Sequence, residues 1–211
     1  MARTKAHTKY LNRAGETVPG VTTLTRQLDK PQLVTWANRL GLQGIDCAKY
    51  TDNAATIGTL AHEMILAELG GAAVKYDEYT AEQIGLAQNC YGSYKSWANG
   101  KVIEPLLVEK AIVSDTLNIG GSPDFYGYVD GKVTLIDYKT GGIYPEYFIQ
   151  VCGYIAILQD CGYGAPEEAI ILSIPKNGDD CFQFKTYKNY TVGIDLIKHL
   201  KAIYELRKLV K

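Results

Sequence analysis

Long apolar runs are absent from the sequence, and no stretch approaches the roughly 18 consecutive apolar residues that suggest a membrane-spanning helix. The opening segment, MARTKAHTKYLNRAGET, also lacks the apolar stretch that follows the charges of a secretion signal. We therefore expect a cytoplasmic protein with no membrane partner.

Paired cysteines are missing as well. The five cysteines are odd in number and none belongs to a C-x-x-C motif, so we expect reduced thiols rather than a disulfide framework. The low apolar content and high net charge of a disordered chain are also lacking, since 46% of the 211 residues are hydrophobic. Length and composition predict one globular domain.

The chain has little net charge of either sign. Its 22 Lys and Arg residues nearly balance 23 Asp and Glu residues, whereas nucleic-acid-binding proteins usually carry a basic excess. The balance hides an uneven distribution, because residues 1–50 carry a net charge of +5, residues 51–150 of −7 and residues 151–211 of +1. The basic ends either contact phosphates or form a solvated helix face with cations in its last turns.

Apolar spacing divides the chain into helices followed by a mixture of strands and helices. Thr80 and Gln83 match a capping box at the start of one helix. Helices are predicted at residues 21–28, 31–40, 56–69, 80–98, 146–161 and 191–210. Strands are predicted at residues 106–114, 125–129, 132–138, 169–174 and 182–187. This order predicts an α/β (α+β) fold.

Asp130-Gly131 is a strong signal for a two-residue hairpin turn between the second and third strands. The resulting register places Asp124 opposite Asp137, and such like charges repel unless a shared proton or a divalent cation offsets them. Lys139 lies on the same face as Asp137. Two carboxylates and an ammonium suit metal-assisted hydrolysis with a hard cation such as Mg²⁺. The alternative is an ordinary turn residue followed by a strand-end charge pair.

Further polar residues lie on the neighbouring helices. Gln150 and Tyr154 are four residues apart and share a helix face that either overlooks the aspartates or is simply half-buried. His62 follows small residues in GTLAHEMI and is either a packed helical histidine or a ligand for Mn²⁺.

In this order, GTLAHEMI, VEKAI, GGSPDFYGYVDG, LIDYKT and QVCGY resemble the motifs of the PD-(D/E)XK nuclease superfamily. More narrowly, the chain resembles the RecB-type exonuclease branch, which includes phage-encoded exonucleases and the mitochondrial genome maintenance exonuclease. The similarity extends over about residues 17–190. A phage origin would place the protein in the cytoplasm of a bacterial host.

The resemblance implies a restriction-endonuclease-like αβββαβ core, with a mixed central sheet flanked by helices and additional N-terminal helices. We expect a single nuclease domain over residues 1–211. It would comprise a basic, helical lead-in (1–55), a catalytic core (56–190) and a C-terminal helix (191–211).

The resemblance also implies roles for individual residues. Lys139 would position and activate the attacking water, while Gln150 and Tyr154 match the Q-x-x-x-Y element that orients the site and the DNA backbone. One or two Mg²⁺ or Mn²⁺ ions would be held by His62, Asp124, Asp137 and the backbone carbonyl of Tyr138.

The chain departs from some relatives in two respects. Where many carry a glutamate four residues after the histidine, this sequence has Leu66, and Glu63 and Glu68 fall off that helical face. Some relatives bind an iron-sulfur cluster through one early and three late cysteines. We expect no cluster, because the cysteines that repeat this count lack close spacing: Cys47, Cys152, Cys161 and Cys181.

The predicted function is metal-dependent DNA exonuclease activity on linear or single-stranded DNA, without sequence specificity. DNA binding should depend on metal and weaken with salt. The alternatives are a structure-specific endonuclease, a non-catalytic DNA-binding or assembly module, and a hydrolase of small molecules, which the lack of a phosphate-cradling glycine loop disfavours. A replication or recombination protein, or a second copy of the chain, is a further predicted partner.

Four tyrosines either stack on bases or pack in the sheet: Tyr126, Tyr128, Tyr144 and Tyr147.

Overall fold

The computed structural model describes residues 8–178 and 181–210, and its centre is a five-stranded mixed sheet. The helices are α1 (Val21–Thr25), α2 (Pro31–Leu42), α3 (Cys47–Glu68), α4 (Ala81–Ala98), α5 (Pro145–Asp160) and α6 (Thr191–Leu209). The strands are β1 (Tyr10–Leu11), β2 (Thr17–Val18), β3 (Ile103–Val108), β4 (Ile112–Ser114), β5 (Ile119–Gly121), β6 (Phe125–Val129), β7 (Lys132–Lys139), β8 (Glu168–Ser173) and β9 (Gln183–Tyr187). The strand order of the central sheet is β3-β6-β7-β8-β9, in which β7 and β8 are parallel and the other neighbours antiparallel.

Helices cover both faces of the central sheet, as the apolar residues on its strands require. Successive side chains of β7 point to opposite faces: Leu135 belongs to a core shared with α1, α5 and α6, and Ile136 to a core shared with α3 and α4. A strand buried on both faces reads as a nearly continuous apolar run. The mixed sheet flanked by helices agrees with the predicted fold class.

The β6–β7 hairpin has the register that its turn sequence predicts. Phe125 pairs with Ile136, and the pairing continues to the turn. Asp130 and Gly131 have φ angles of 51° and 79°, as a type I′ turn requires at both central positions. The register brings the residue just before β6 next to the C-terminal half of β7.

The prediction of one strand over residues 106–114 is wrong. β3 ends at Val108, and β4 pairs with β5 in a separate two-stranded sheet. Glu109 interrupts the run with a φ of 46°, a conformation that residues other than glycine rarely adopt. Apolar residues on both sides of Glu109 make the two strands look like one.

Two helix starts are set by capping side chains. The predicted capping box of α4 is confirmed, with Thr80 and Gln83 each accepting a hydrogen bond from the other's backbone N–H. Helix α3 begins at Cys47 rather than at residue 56, because Asp46 accepts hydrogen bonds from the next turn. Its early turns are mostly exposed and lack apolar spacing. The helix therefore crosses the boundary predicted at residue 55.

Gly127 in β6 lies against a bulge in the edge strand β3. A β-carbon at this position would lie 2.2 Å from the carbonyl oxygen of Glu104 and 3.0 Å from the backbone nitrogen of Leu106. These are backbone atoms of a paired strand and cannot rotate away. We expect Gly127→Ala to lower the free energy of unfolding by about 1 to 3 kcal/mol, measured by urea denaturation.

Gly92→Ala is the matched control for this substitution. Gly92 lies on the exposed face of α4, where a β-carbon would meet nothing within 4 Å. Alanine favours a helix, so this change should raise the free energy of unfolding by about 0.5 to 1 kcal/mol. A Gly127→Ala protein as stable as wild type would contradict the close approach of β3 and β6.

The cysteines agree with the expectation of reduced thiols. All five carry free thiols, and burial raises the pKa of Cys90 to about 11 and that of Cys152 to about 12. Within residues 8–178 and 181–210, no helix combines the length and the apolarity needed to cross a membrane.

Candidate active site

Three side chains of the metal-ligating type converge at the end of β3. They are His62 on α3, Glu109 after β3 and Asp124 before β6, and one ligand atom from each lies within 4.8 Å of the others. His62 Nδ1 is 3.5 Å from Asp124 Oδ1 and 3.7 Å from Glu109 Oε1. An imidazole and two carboxylates suit a divalent ion such as Mn²⁺.

The backbone of the sheet positions both acids. Glu109 N donates to Asp124 O at 3.2 Å, one step beyond the pair formed by Val108 and Phe125. Asp124 Oδ2 accepts from Tyr138 N at 2.7 Å, so β7 also holds this carboxylate. The left-handed backbone of Glu109 is of the kind that clusters at functional sites.

A connected group of buried and half-buried polar side chains lies beside this cluster. Lys139 Nζ is 2.6 Å from Asp137 Oδ2 and donates to Gln150 Oε1 at 3.5 Å. Gln150 Nε2 contacts Asp137 Oδ1 at 3.3 Å and Tyr154 Oη at 2.8 Å. Asp137 Oδ2 is buried, and the ion pair with the Lys139 ammonium is its polar contact among the described residues.

Glycine in the GGSPDF segment makes room for this group. A β-carbon at Gly121 would lie 2.7 Å from Cδ1 of the Tyr154 ring. The ring therefore packs directly against β5, with its hydroxyl directed at Gln150. On the other side of the site, a β-carbon at Gly58 would lie 3.3 Å from Thr140 Oγ1, so small residues on α3 bring His62 close to the end of β7.

Burial and neighbouring charges set the protonation of the site. Burial raises the pKa of Asp137 to about 6, opposed by the Lys139 ammonium and reinforced by the Asp124 carboxylate. Burial lowers the pKa of Lys139, but the two aspartates outweigh it and leave that pKa above its usual value. Burial also disfavours the His62 imidazolium, yet Asp124 and Glu109 raise its pKa to about 10. Without metal, His62 carries a proton that a bound cation would have to displace.

The raised pKa of Asp137 predicts a pH-dependent loss of stability in the metal-free protein. Ionisation costs more in the folded than in the unfolded chain, so this contribution worsens as pH rises from about 4 to about 6 and is constant above. In chelator at pH 8, Asp137→Asn should therefore raise the free energy of unfolding by up to about 3 kcal/mol. The gain should shrink towards pH 4, as followed by urea denaturation across this range.

Asp195→Asn provides the control for that series. Asp195 lies exposed on α6 and forms a surface ion pair with Lys198, so its loss should change stability by less than about 1 kcal/mol. A gain for Asp137→Asn that stayed the same from pH 4 to pH 8 would contradict the assigned protonation.

The structure brings together the side chains that the sequence singled out, and adds one. His62 and Asp124 lie in the three-residue cluster, whereas the Asp137 carboxylate is drawn to Lys139 and is not a member of it. Glu109 takes the third place, and the sequence reasoning assigned it no role. The feature of the sequence that could have identified Glu109 is its position as an acidic residue at the end of the strand that pairs with β6.

The two glutamates of α3, Glu63 and Glu68, contact residues outside the three-residue cluster. Glu63 Oε2 accepts a hydrogen bond from the Tyr79 hydroxyl at 3.4 Å. Glu68 pairs with Lys95 at 2.6 Å and accepts from Tyr91. These contacts agree with their position off the His62 face of the helix. The backbone N–H of Tyr138 contacts Asp124, while the role of its carbonyl stays a prediction.

The cluster opens into cavities on two sides. One, of about 300 Å³, is lined by Tyr10, Thr59, Ser122 and the three ligand-type residues. The other, of about 410 Å³, is lined by Ala54, Lys139, Tyr147 and Lys176 among others. His62 borders both cavities. His62 therefore lies between the two cavities.

The four tyrosines singled out by the sequence have different surroundings. Tyr126 is fully buried and donates to the carbonyl of Tyr163, which favours the second alternative, packing in the sheet. Tyr128 lies near the turn end of β6, away from Asp124. Tyr144 is exposed and packs edge-on against Tyr147, whose ring lies 4.6 Å from Lys139 Nζ. Only these last two adjoin the site.

The basic residues of α6 are largely matched by acids. Lys201 and Lys208 both pair with Glu205, and Lys198 pairs with Asp195. These contacts favour the solvated-face interpretation for that helix. The basic residues among positions 1–7, and Lys211, lie outside the described residues.

Neither a family model nor a curated protein matches the sequence. Among solved structures, the alkaline exonuclease LHK-Exo from Laribacter hongkongensis has a TM-score of 0.41 and 18% identity, covering 71% of this chain and 78% of that chain. The same protein in complex with dAMP has the same TM-score and identity over 74% of this chain and 84% of that chain. The protein SSO0001 has a TM-score of 0.36 and 15% identity over 87% and 74%. At this distance the likeness carries no conclusion about activity.

Proposed function

We propose that the chain is a metal-dependent deoxyribonuclease that hydrolyses phosphodiester bonds, without sequence specificity, at the ends of linear or single-stranded DNA. The observation that carries this proposal is the cluster of His62, Glu109 and Asp124 beside a buried Asp137–Lys139 pair, in a cleft open on two sides. The order α3, β3, β6, β7, α5, β8 supports the αβββαβ core that the sequence resemblance implies.

The donor atoms of the site fit one or two Mg²⁺ or Mn²⁺ ions. Carboxylate oxygens suit both metals, and the imidazole favours Mn²⁺. The Asp137 carboxylate is buried, with Oδ2 2.6 Å from Lys139 Nζ and Oδ1 3.3 Å from Gln150 Nε2, so a metal ion held by Asp137 would share the carboxylate with these two side chains. We propose His62, Glu109, Asp124, Asp137 and the Tyr138 carbonyl as ligands. When bound, the metal supplies positive charge that stabilises the phosphate and the leaving 3′ oxygen.

The remaining side chains have positioning roles in this proposal. Lys139 is held as an ammonium by Asp137 and Asp124, and it orients a water molecule for in-line attack on phosphorus. Gln150 fixes the Asp137 carboxylate through its amide N–H, and the Tyr154 hydroxyl fixes Gln150. The chain thus holds the attacking water and the ligand carboxylates in a defined relation.

The substrate range is tested with three forms of DNA. We would incubate the protein with end-labelled linear single-stranded DNA, linear duplex and closed circles, each with Mg²⁺, Mn²⁺ or chelator. Metal-dependent loss of linear DNA with intact circles is the expected result. Cutting of circles would identify an endonuclease, and metal-dependent binding without any cleavage would identify a non-catalytic module and overturn the proposal.

A further inference from the structure

The two cavities beside the cluster differ in charge. Among the described residues, the 300 Å³ cavity is lined by the acids Glu109 and Asp124 and by no lysine or arginine. Lys9 and Arg26 line a separate cavity of about 530 Å³, which shares Thr8 and Tyr10 with it. The 410 Å³ cavity is lined by two lysines, Lys139 and Lys176. A DNA strand that crosses the cluster carries a phosphate on each side of the scissile one. On the side of the 410 Å³ cavity, a lysine is available to pair with the neighbouring phosphate.

Lys176 is firmly placed at the wall of this cavity. Its carbonyl accepts a hydrogen bond from Asn89 Nδ2 at 2.8 Å, which ties the residue to α4. Its Nζ donates to the carbonyl of Thr140 at 3.1 Å, directly after the proposed water-positioning Lys139. The ammonium therefore lies beside the site without belonging to the Asp137–Lys139 pair.

Lys176 differs from the lysines on the surface of α6. Those lysines are matched by acids, whereas none of the ion pairs within the described residues includes Lys176. An ammonium has three donor hydrogens, and the Thr140 carbonyl uses one. Burial lowers the pKa of Lys176, opposed by Cys90, and a phosphate would supply a counter-charge in place of the hydration that burial removes.

The cavity beside Lys176 also has room for a nucleotide. Its lining includes the small residues Ala54, Ala55 and Gly141, and its volume is about 410 Å³. The Tyr147 ring forms another wall. We propose that Lys176 binds the phosphate adjacent to the scissile one, on the Lys139 side of the cleft, and so sets the path of the strand. This inference rests on the proposed nuclease function.

The test is the salt dependence of DNA binding. Each lysine that neutralises a phosphate of a single strand contributes about 0.7 to the slope of log affinity against log salt concentration. We would measure anisotropy of a labelled, phosphorothioate-substituted oligonucleotide, which resists cleavage, with Mg²⁺ over a salt series. Lys176→Met should lower the slope by about 0.7 and weaken binding about tenfold at low salt.

Two further variants separate phosphate binding from a structural role. Lys176→Gln keeps a donor for the Thr140 carbonyl but removes the charge, and should lose the same slope even if the methionine variant folds poorly. Lys101→Met is the matched control, because Lys101 lies over Trp97 in a cavity lined by the turn end of the β6–β7 hairpin. Its slope should equal that of wild type.

An unchanged slope in Lys176→Gln would overturn the inference, whether or not the turnover number falls. A lysine that only holds the Thr140 carbonyl can affect catalysis, but it does not change the salt dependence of DNA affinity. Failure of the nuclease proposal would appear separately, as intact unmodified linear DNA after incubation with wild-type protein and metal.

Discussion

Asp137→Asn is expected to reduce the rate constant of DNA hydrolysis by about 10³- to 10⁴-fold while the protein stays folded. Asp137 is 1% exposed and contacts both Lys139 and Gln150, so in the proposed site its charge positions these two side chains. The amide has nearly the same shape but cannot provide a charged ligand oxygen. Single-turnover release of labelled nucleotide from linear DNA measures the effect.

Asp130→Asn is the matched control on the same hairpin. Asp130 lies in the turn with a φ of 51° and accepts a hydrogen bond from Val102 N. Asparagine tolerates this backbone conformation, so the rate should stay within about twofold of wild type.

Lys139→Met should reduce the rate constant of hydrolysis nearly as much as Asp137→Asn does. The double variant should be little slower than either, because the effects of residues that act as a unit are not additive. Strict additivity would contradict the shared role.

Glu109→Gln is expected to weaken divalent metal binding by about 10- to 100-fold. The carboxylate lies 3.7 Å from His62 Nδ1 in a cluster whose other acid is Asp124. Removing one of two charges lowers the attraction for a cation, while the amide preserves the size of the side chain. Titration calorimetry with Mn²⁺ at constant pH measures the change, and the metal concentration for half-maximal cleavage should rise in parallel.

Glu63→Gln tests whether any acid near His62 has the same effect. Glu63 follows His62 in the sequence but contacts Tyr79, so its replacement should leave the Mn²⁺ affinity unchanged within about twofold. Equal losses for Glu63→Gln and Glu109→Gln would contradict the cluster, since they would indicate a general effect of net charge.

Local sequence signals predicted the parts of the site that depend on local geometry. Asp130-Gly131 determines the turn, and the turn determines the register that places Asp124 near Asp137. The four-residue spacing of Gln150 and Tyr154 places both on one helical face, where a hydrogen bond of 2.8 Å joins them. These relations follow from the periods of a helix and a strand.

The residues that were missed depend on contacts distant in sequence. Glu109 lay inside an apolar stretch that resembled one strand, and its left-handed backbone is set by the pairing of β3 with β6. Lys176 reaches the site because β8 crosses over from β7 through α5 to a parallel position. Neither placement leaves a periodic pattern in the sequence, because tertiary pairing decides both.

Centrally, we propose that the cluster of His62, Glu109 and Asp124, with the Asp137–Lys139 pair beside it, hydrolyses DNA with a divalent ion. The most direct test is the initial rate of nucleotide release from linear DNA as Mg²⁺ is titrated into protein freed of metal by chelation. We predict no release in chelator and a saturable rise in rate with Mg²⁺, both in a protein whose circular dichroism spectrum shows it to be folded. Release that is undiminished in chelator, or absent at every metal concentration, would contradict the claim.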